Sequence, residues 1–174
     1  PNKEVAKRFG YSHPEAMKSL LDTLADATAD YLIGQAKAGA DALKIFESWA
    51  EGLSPYQFDA FVVAPTQRII TRVRAAGITC PIMGFPRAAG LKAITYAHQT
   101  GIDAMAVGTD TSFTSLRPHL PNRMPLQGNL DPLLLRMGGQ AMLEGVDRVL
   151  EDARGGPHIF NLGHGVTPDV DIKS

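Results

Sequence analysis

Ala42-Leu43-Lys44-Ile45-Phe46 is a short, mostly apolar run that leads directly into Glu47-Ser48. A run of this length that is apolar on both faces is typical of a strand buried between two layers of helices. The polar residues that follow it would form a loop at the carboxyl end of the strand. We therefore predict a buried β-strand followed by a functional loop.

The same arrangement recurs downstream, with helical segments between the apolar runs. Further strands are predicted over residues 81–85, 104–108, 124–128 and 158–162. Helices are predicted over 90–98 and 140–154, and a third is opened by Ser54-Pro55 and ended by Gly77. Short apolar strands that alternate with helices indicate a parallel sheet covered by helices.

The first predicted helix lies upstream of these elements. Ser12-His13-Pro14-Glu15 has the pattern of a capping box with proline in the first turn, and Gly39 is a suitable helix end. The expected apolar face consists of Met17, Leu20, Leu21, Leu24, Ala27 and Tyr31.

Five strands with covering helices are compatible with an open sheet or with part of a barrel. No Gly-x-Gly-x-x-Gly follows any strand and no Walker loop is present, so a dinucleotide-binding fold loses support. A complete (β/α)₈ barrel usually needs about 250 residues, more than the 174 of this chain. Part of a barrel would leave two open sheet edges for missing chain or a partner to cover.

Composition excludes several classes of function. Hydrophobic residues make up 44% of the chain, charged residues 20%, and the formal net charge is −1. Such a balance is typical of a globular protein, and it gives no indication of a nucleic-acid or membrane partner. Cys80 is the single cysteine, which fits a reducing compartment and excludes cysteine-rich zinc patterns. Because the first residue is Pro1, we interpret this end as processed or truncated.

Each predicted strand leads into polar or glycine-rich sequence, and in a barrel these strand ends converge on one rim, where active sites are built. Gly163-His164-Gly165 is the sharpest of the motifs: its histidine could donate to a carboxylate or move a proton, or it could be a polar turn residue. Ser48 could donate a hydrogen bond to a substrate or be a simple loop hydroxyl.

The remaining polar strand ends have strong structural interpretations. We favour helix capping by Asn129 or Asp131 over a catalytic role. Arg87 could bind a carboxylate or be an ordinary surface arginine. Asp110 could act as an acid, as a cap or as support for another residue. The other histidines show no metal-ligand spacing.

Three stretches, in this order, carry a resemblance to a known family. Ile45-Phe46-Glu47-Ser48-Trp49, Leu126-Gln127-Gly128-Asn129-Leu130-Asp131-Pro132 and Phe160-Asn161-Leu162-Gly163-His164-Gly165 closely resemble the uroporphyrinogen decarboxylases. The similarity extends over essentially the whole chain. It corresponds to about the C-terminal half of the family's chain without its last helix, so residues 1–174 would be a partial (β/α)₈-barrel domain truncated at both ends.

The resemblance implies a cytoplasmic, usually homodimeric enzyme that converts uroporphyrinogen III into coproporphyrinogen III in tetrapyrrole (heme) biosynthesis by removing four acetate carboxyl groups. It implies no metal or organic cofactor, no nucleic acid and no membrane. By resemblance, Ser48 and His164 would bind the substrate and Arg87 would be an additional contact. The family's arginine-rich motif, central aspartate and substrate-contacting tyrosine would lie upstream of Pro1, so we expect no catalytic residue within this chain and no decarboxylation by it alone.

Two other functions stay open at this point. The first is a zinc- and cobalamin-linked methyltransferase of the same barrel superfamily, although its His-x-Cys pair is replaced here by Phe85-Pro86-Arg87. The second is a non-catalytic fragment or an assembly partner for an N-terminal half.

Overall fold

The structure, a computed structural model, describes residues 3–121, 123–168 and 170. The chain divides into two compact units, Pro1–Ile102 and Asp103–Ser174. No helix in these described ranges is long and apolar enough to cross a membrane. The described residues form five β-strands, and all five predicted strands are confirmed within a few residues.

The first unit contains two parallel strands and the helices that cover one of their faces. In β1 and β2, Phe46 lies opposite Phe85 and Leu43 lies opposite Ile82. The elements in chain order are α1 (Lys3–Ser12), α2 (Pro14–Lys37), β1 (Leu43–Glu47), α3 (Pro55–Phe58), a π-helical segment (Asp59–Val63), α4 (Ala64–Ala75), β2 (Ile82–Pro86) and α5 (Lys92–Gln99).

One face of β1 belongs to the apolar core and the other does not. Leu43 and Ile45 are buried, whereas Phe46, on the opposite face, is 63% exposed. Side chains alternate between the two faces of a strand, so Glu47 shares the buried face with Leu43 and Ile45. The last side chain of β1 is therefore a carboxylate on the side that the helices cover.

A ladder of ion pairs joins α2 to α4. Arg68 binds Asp26 through two hydrogen bonds, Nε to Oδ1 at 2.7 Å and Nη2 to Oδ2 at 2.8 Å. Arg72 then donates from Nη2 to Asp30 Oδ1 at 2.7 Å. Residue numbers rise together along both helices, so the two helices run in the same direction, as helices that flank parallel strands must.

The start of α2 at Pro14, with proline in the first turn, is confirmed, but the predicted capping box and most of the predicted apolar face are wrong. Ser12 is the last residue of α1, a helix that the sequence analysis missed, and therefore does not cap α2. The buried positions of α2 are Met17, Ala25, Ala29 and Leu32. Of the predicted face, Leu20, Leu24 and Tyr31 are 51%, 54% and 68% exposed. The inward-facing Ala25 and Ala29 are each followed by an aspartate that pairs with α4, so the small residues of α2 lie on the side of the ladder.

The helix predicted from Ser54 is confirmed at both ends and interrupted in the middle. The Ser54 side chain accepts a hydrogen bond from Gln57 N at 3.3 Å and so caps the helix. Gly77, at φ +79°, follows its end. The π-helical segment Asp59–Val63 separates α3 from α4 and is not visible in the apolar periodicity.

The second unit contains three parallel strands. β4 pairs with β3 and with β5, and Leu126 lies opposite His158. β4 begins two residues later than predicted and extends through Leu130. The elements are β3 (Ala104–Ala106), α6 (Phe113–Leu116), a 3₁₀ turn (Arg117–His119), β4 (Leu126–Leu130), α7 (Pro132–Met137), α8 (Gly139–Ala153) and β5 (His158–Leu162).

Asp152 of α8 anchors the short helix α6. Its carboxylate accepts hydrogen bonds from Phe113 N at 2.6 Å, Thr114 N at 3.1 Å and the Ser112 hydroxyl at 2.8 Å. The two backbone donors belong to the first turn of α6, where N–H groups have no partner within the helix, and Ser112 is the N-cap residue of that helix. The carboxylate thereby fixes the segment that connects β3 to β4.

Gly84 in β2 provides the space occupied by the ring of Tyr96. A Cβ atom at Gly84 would lie 2.5 Å from Tyr96 Cε1, and Tyr96 is completely buried. We expect Gly84→Ala to lower the free energy of unfolding by about 1–3 kcal/mol, because the buried ring has no room to move. Urea denaturation followed by circular dichroism measures the change.

Gly34→Ala is the matched control. Gly34 lies within α2, and a Cβ there would meet no described atom within 4 Å. Removing a glycine from a helix interior stabilises it by about 0.5–1 kcal/mol. Equal effects of the two substitutions would contradict the packing described for Tyr96.

Candidate functional site

Ser48 and Arg87 follow two neighbouring parallel strands, and the structure brings them together. The Arg87 guanidinium donates to the backbone oxygen of Ser48 from Nη2 at 2.6 Å and from Nε at 3.1 Å. The Arg87 backbone N–H also donates to Glu47 O at 3.1 Å. Arg87 therefore holds the loop that carries Ser48, a role that the sequence analysis did not predict.

The indole of Trp49, which belongs to this loop, lies close to two cationic side chains. Lys3 Nζ lies 4.7 Å from the centroid of the Trp49 ring, and Arg87 Cζ lies 5.8 Å from it. Glu51 forms an ion pair with Lys3, and the Lys3 ammonium holds the pKa of this carboxyl below its ordinary value. The loop thus connects α1 to the ends of β1 and β2.

Glu47, the last residue of β1, has a buried environment that the sequence analysis did not predict. Its Oε1 accepts a hydrogen bond from Trp49 N at 2.9 Å, and burial raises its pKa above the ordinary value of 4.5. It lines a mainly apolar cavity of about 330 Å³ together with Trp49, Phe61 and Val62. Strand alternation was the available signal, since it places this carboxylate on the same face as the buried Leu43 and Ile45.

In the second unit, the side chains of Asn129 and Asp131 stabilise the backbone around the end of β4. The Asn129 amide donates to Gly108 O at 3.1 Å and to Thr111 O at 2.7 Å, which ties the end of β4 to the loop after β3. Asp131 accepts from Leu133 N at 2.8 Å and caps α7. The predicted capping is confirmed for Asp131, whereas Asn129 supports the neighbouring loop.

Glycines allow the strand ends of this unit to approach each other. A Cβ at Gly163 would lie 2.6 Å from Thr109 N, and one at Gly128 would lie 2.6 Å from Val107 O. Asp110 is exposed, and a Cβ at Gly108 would lie 2.7 Å from its Oδ1. Side chains at these three glycines would push the loops apart.

His164 projects from the loop after β5 and is exposed. Its Nδ1 accepts a hydrogen bond from Gly165 N at 2.7 Å. In the neutral ring this contact leaves the proton on Nε2, which can then donate to an acceptor outside the loop. The histidine is therefore arranged as a hydrogen-bond donor.

Ser48 and His164 belong to different compact units, so their predicted position around one common pocket stays a prediction. Each of them follows a strand in its own unit: Ser48 comes directly after β1, and His164 comes after β5 and Gly163. Cys80 precedes β2 and therefore lies at the opposite end of that strand from Arg87. Within the described ranges, no group of three His, Cys, Asp or Glu side chains could hold a metal ion.

The raised pKa of Glu47 gives a prediction about stability. When a carboxyl has a higher pKa folded than unfolded, its ionisation opposes folding, so stability is lost as pH rises through the folded pKa. Glu47→Gln should match the parent protein below about pH 4.5 and become more stable than it as pH rises. Thermal unfolding at several pH values measures this difference, and a constant difference across pH would contradict it.

The two glycines beside His164 give a second prediction. Gly163→Ala should lower the free energy of unfolding by about 1–3 kcal/mol, because the new methyl group would meet the Thr109 backbone. Gly165→Ala is the control, since a Cβ there would meet no atom of the described chain within 4 Å. Chemical denaturation of both variants tests the prediction, and a larger loss for Gly165→Ala would refute it.

Comparison with known proteins gives a consistent result. Residues 2–174 match the family model described as uroporphyrinogen decarboxylase (URO-D). The chain is 52% identical over 162 residues to the uroporphyrinogen decarboxylase of Maricaulis maris, covering 93% of this chain and 47% of that protein. It is 50% identical over 171 residues to the Caulobacter vibrioides protein of the same name, covering 98% and 48%.

A third relative, the uroporphyrinogen decarboxylase of Brucella anthropi, is 44% identical over 174 residues, covering all of this chain and 51% of that protein. The chain thus spans about half the length of the curated relatives it matches. Its strands, parallel within each unit and separated by helices, are those of half of a (β/α)₈ barrel, the fold of this family. The chain belongs to the uroporphyrinogen decarboxylase family.

Proposed function

We propose that the chain supplies about half of an active site that removes the four acetate carboxyl groups of uroporphyrinogen III and yields coproporphyrinogen III. The observation that carries the proposal is the position of the family motifs, whose residues Ser48 and His164 lie in the loops that follow β1 and β5. In barrels of this type, the loops at the carboxyl ends of the strands build the active site. The enzyme is a carboxy-lyase that acts in the cytoplasm as a homodimer.

The substrate carries many carboxylates, and the site residues have matching chemistry. The Ser48 hydroxyl and the Nε2–H of His164 donate hydrogen bonds to substrate carboxylates and orient the macrocycle. Arg87 contributes positive charge beside Ser48 while its guanidinium holds the backbone of the loop. These three residues bind and position the substrate, and the groups that transfer protons come from the other half of the barrel.

The substrate supplies its own electron sink. Protonation of a pyrrole ring carbon makes the ring an electron acceptor, so the bond to the acetate carboxylate breaks and carbon dioxide leaves. The bonding electron pair enters the ring, the exocyclic methylene is protonated to a methyl group, and the ring proton is released. This chemistry calls for no bound electron sink such as pyridoxal phosphate.

The experiment uses a chimera in which this chain replaces the matching segment of the Maricaulis maris enzyme. We expect the chimera to form coproporphyrinogen from uroporphyrinogen III, and the 174-residue chain alone to form none. Ser48→Ala and His164→Ala in the chimera should lower kcat/KM by roughly 10- to 100-fold, because each removes a hydrogen bond to a charged group. Product is measured by chromatography after oxidation to the porphyrin.

Ser19→Ala on α2 and His98→Ala on α5 are matched controls on the helix layer and should leave kcat/KM unchanged. A folded chimera without product would contradict the proposed function. Product formation by the 174-residue chain alone would show that it does not depend on a second half.

A further inference from the structure

Residues 47–49 lead the chain out of β1, and hydrogen bonds hold the backbone on both sides of Ser48. The Glu47 side chain accepts a hydrogen bond from the backbone of Trp49, from N to Oε1 at 2.9 Å. Arg87 donates to the Ser48 backbone oxygen at 2.6 and 3.1 Å, and its own N–H donates to Glu47 O at 3.1 Å. None of these bonds uses the Ser48 hydroxyl, so they fix the residue without occupying the group that would bind a ligand.

The contact between Glu47 and Trp49 closes a local turn. A side-chain oxygen that accepts from the N–H two residues later forms the kind of turn that aspartate and asparagine commonly make. The residue enclosed by this turn is Ser48, so the direction of its side chain depends on the contact. Ala50, the next residue after the turn, is completely buried and fixes where the loop returns to the core.

The surroundings of Glu47 strengthen this contact. Strand alternation places its side chain on the helix-covered side of β1, and the cavity that it lines is mainly apolar. A hydrogen bond to a carboxylate is stronger in such surroundings than in water. The Trp49 N–H favours the ionised form of Glu47 and so opposes part of the effect of burial on its pKa. The carboxylate and the turn therefore stabilise each other.

We propose that Glu47 is a positioning residue for substrate binding: by holding Trp49 N, its carboxylate sets the direction in which the Ser48 hydroxyl points. This inference rests on the proposed function, in which Ser48 donates a hydrogen bond to a substrate carboxylate. It adds to that function a residue that lies on the helix-covered side of the strand and acts only through Ser48.

The test is a double-mutant cycle in the chimera that begins with Glu47→Met. Methionine keeps the length of the side chain and suits an apolar cavity, but it offers no oxygen to Trp49 N. We expect kcat/KM for uroporphyrinogen III to fall about three- to tenfold, because the serine hydroxyl loses its fixed direction. In the Ser48→Ala background the same substitution should change kcat/KM by less than about twofold, because the group through which Glu47 acts is already absent.

Two further variants separate positioning from stability. Glu47→Gln keeps an oxygen that can accept from Trp49 N, and it should keep kcat/KM within about twofold of the parent chimera. Val73→Ala shortens a completely buried side chain of α4. It should lower the unfolding temperature and leave kcat/KM unchanged, because it leaves the turn intact.

The outcomes distinguish this inference from the function on which it rests. A parent chimera without product would overturn both. With an active parent, an unchanged kcat/KM in Glu47→Met would overturn the inference alone, and so would an equal loss in the Ser48→Ala background. Equal losses in Glu47→Met and Glu47→Gln would also overturn it, because the charge of Glu47 would then matter rather than its contact with Trp49. Should Glu47→Met fold poorly, Glu47→Leu gives the same comparison with a shorter apolar side chain.

Discussion

Parallel pairing of neighbouring strands is the constraint on which the candidate site depends. Because β1 and β2 run in the same direction, the residues that follow them meet at one edge, and Arg87 can reach the Ser48 backbone. The same constraint in the second unit allows Asn129 to bind the loop after β3. Parallel strands need a connection that returns the chain to the start of the next strand, and this connection is usually a helix. The helices between the strands therefore make the parallel arrangement possible.

Close contact between backbones is the second requirement at these ends. Gly128 and Gly163 lie where a side chain would collide with the main chain of the loop after β3. These glycines therefore allow the backbones of the strand ends to pack closely together, and the polar side chains of the loops extend from this closely packed backbone. His164 is one of these side chains, and its Nδ1 already accepts a hydrogen bond from Gly165 N.

The elements that follow local rules could be predicted from the sequence. Short apolar runs located all five strands, Ser54 and Asp131 capped helices by a well-known pattern, and Gly39 and Gly77 followed helix ends. The strand-end residues Ser48, Arg87 and His164 were located for the same reason.

What the sequence could not indicate depends on contacts between distant segments. The packing of α2 against α4 includes ion pairs between residues 42 apart, which no apolar periodicity contains. The role of Arg87 likewise depends on a backbone oxygen 39 residues earlier. Glu47 differs, because simple alternation along β1 would have placed it on the buried side.

The position of Trp49 has a practical consequence. It is the single tryptophan of the chain, and its ring lies between Lys3 of α1 and Arg87 of the loop after β2. Indole emission responds to nearby charge and to the approach of an absorbing ligand. The chain therefore carries a native fluorophore at its candidate site, and its emission can report when α1 docks and when an absorbing ligand approaches, without any attached dye.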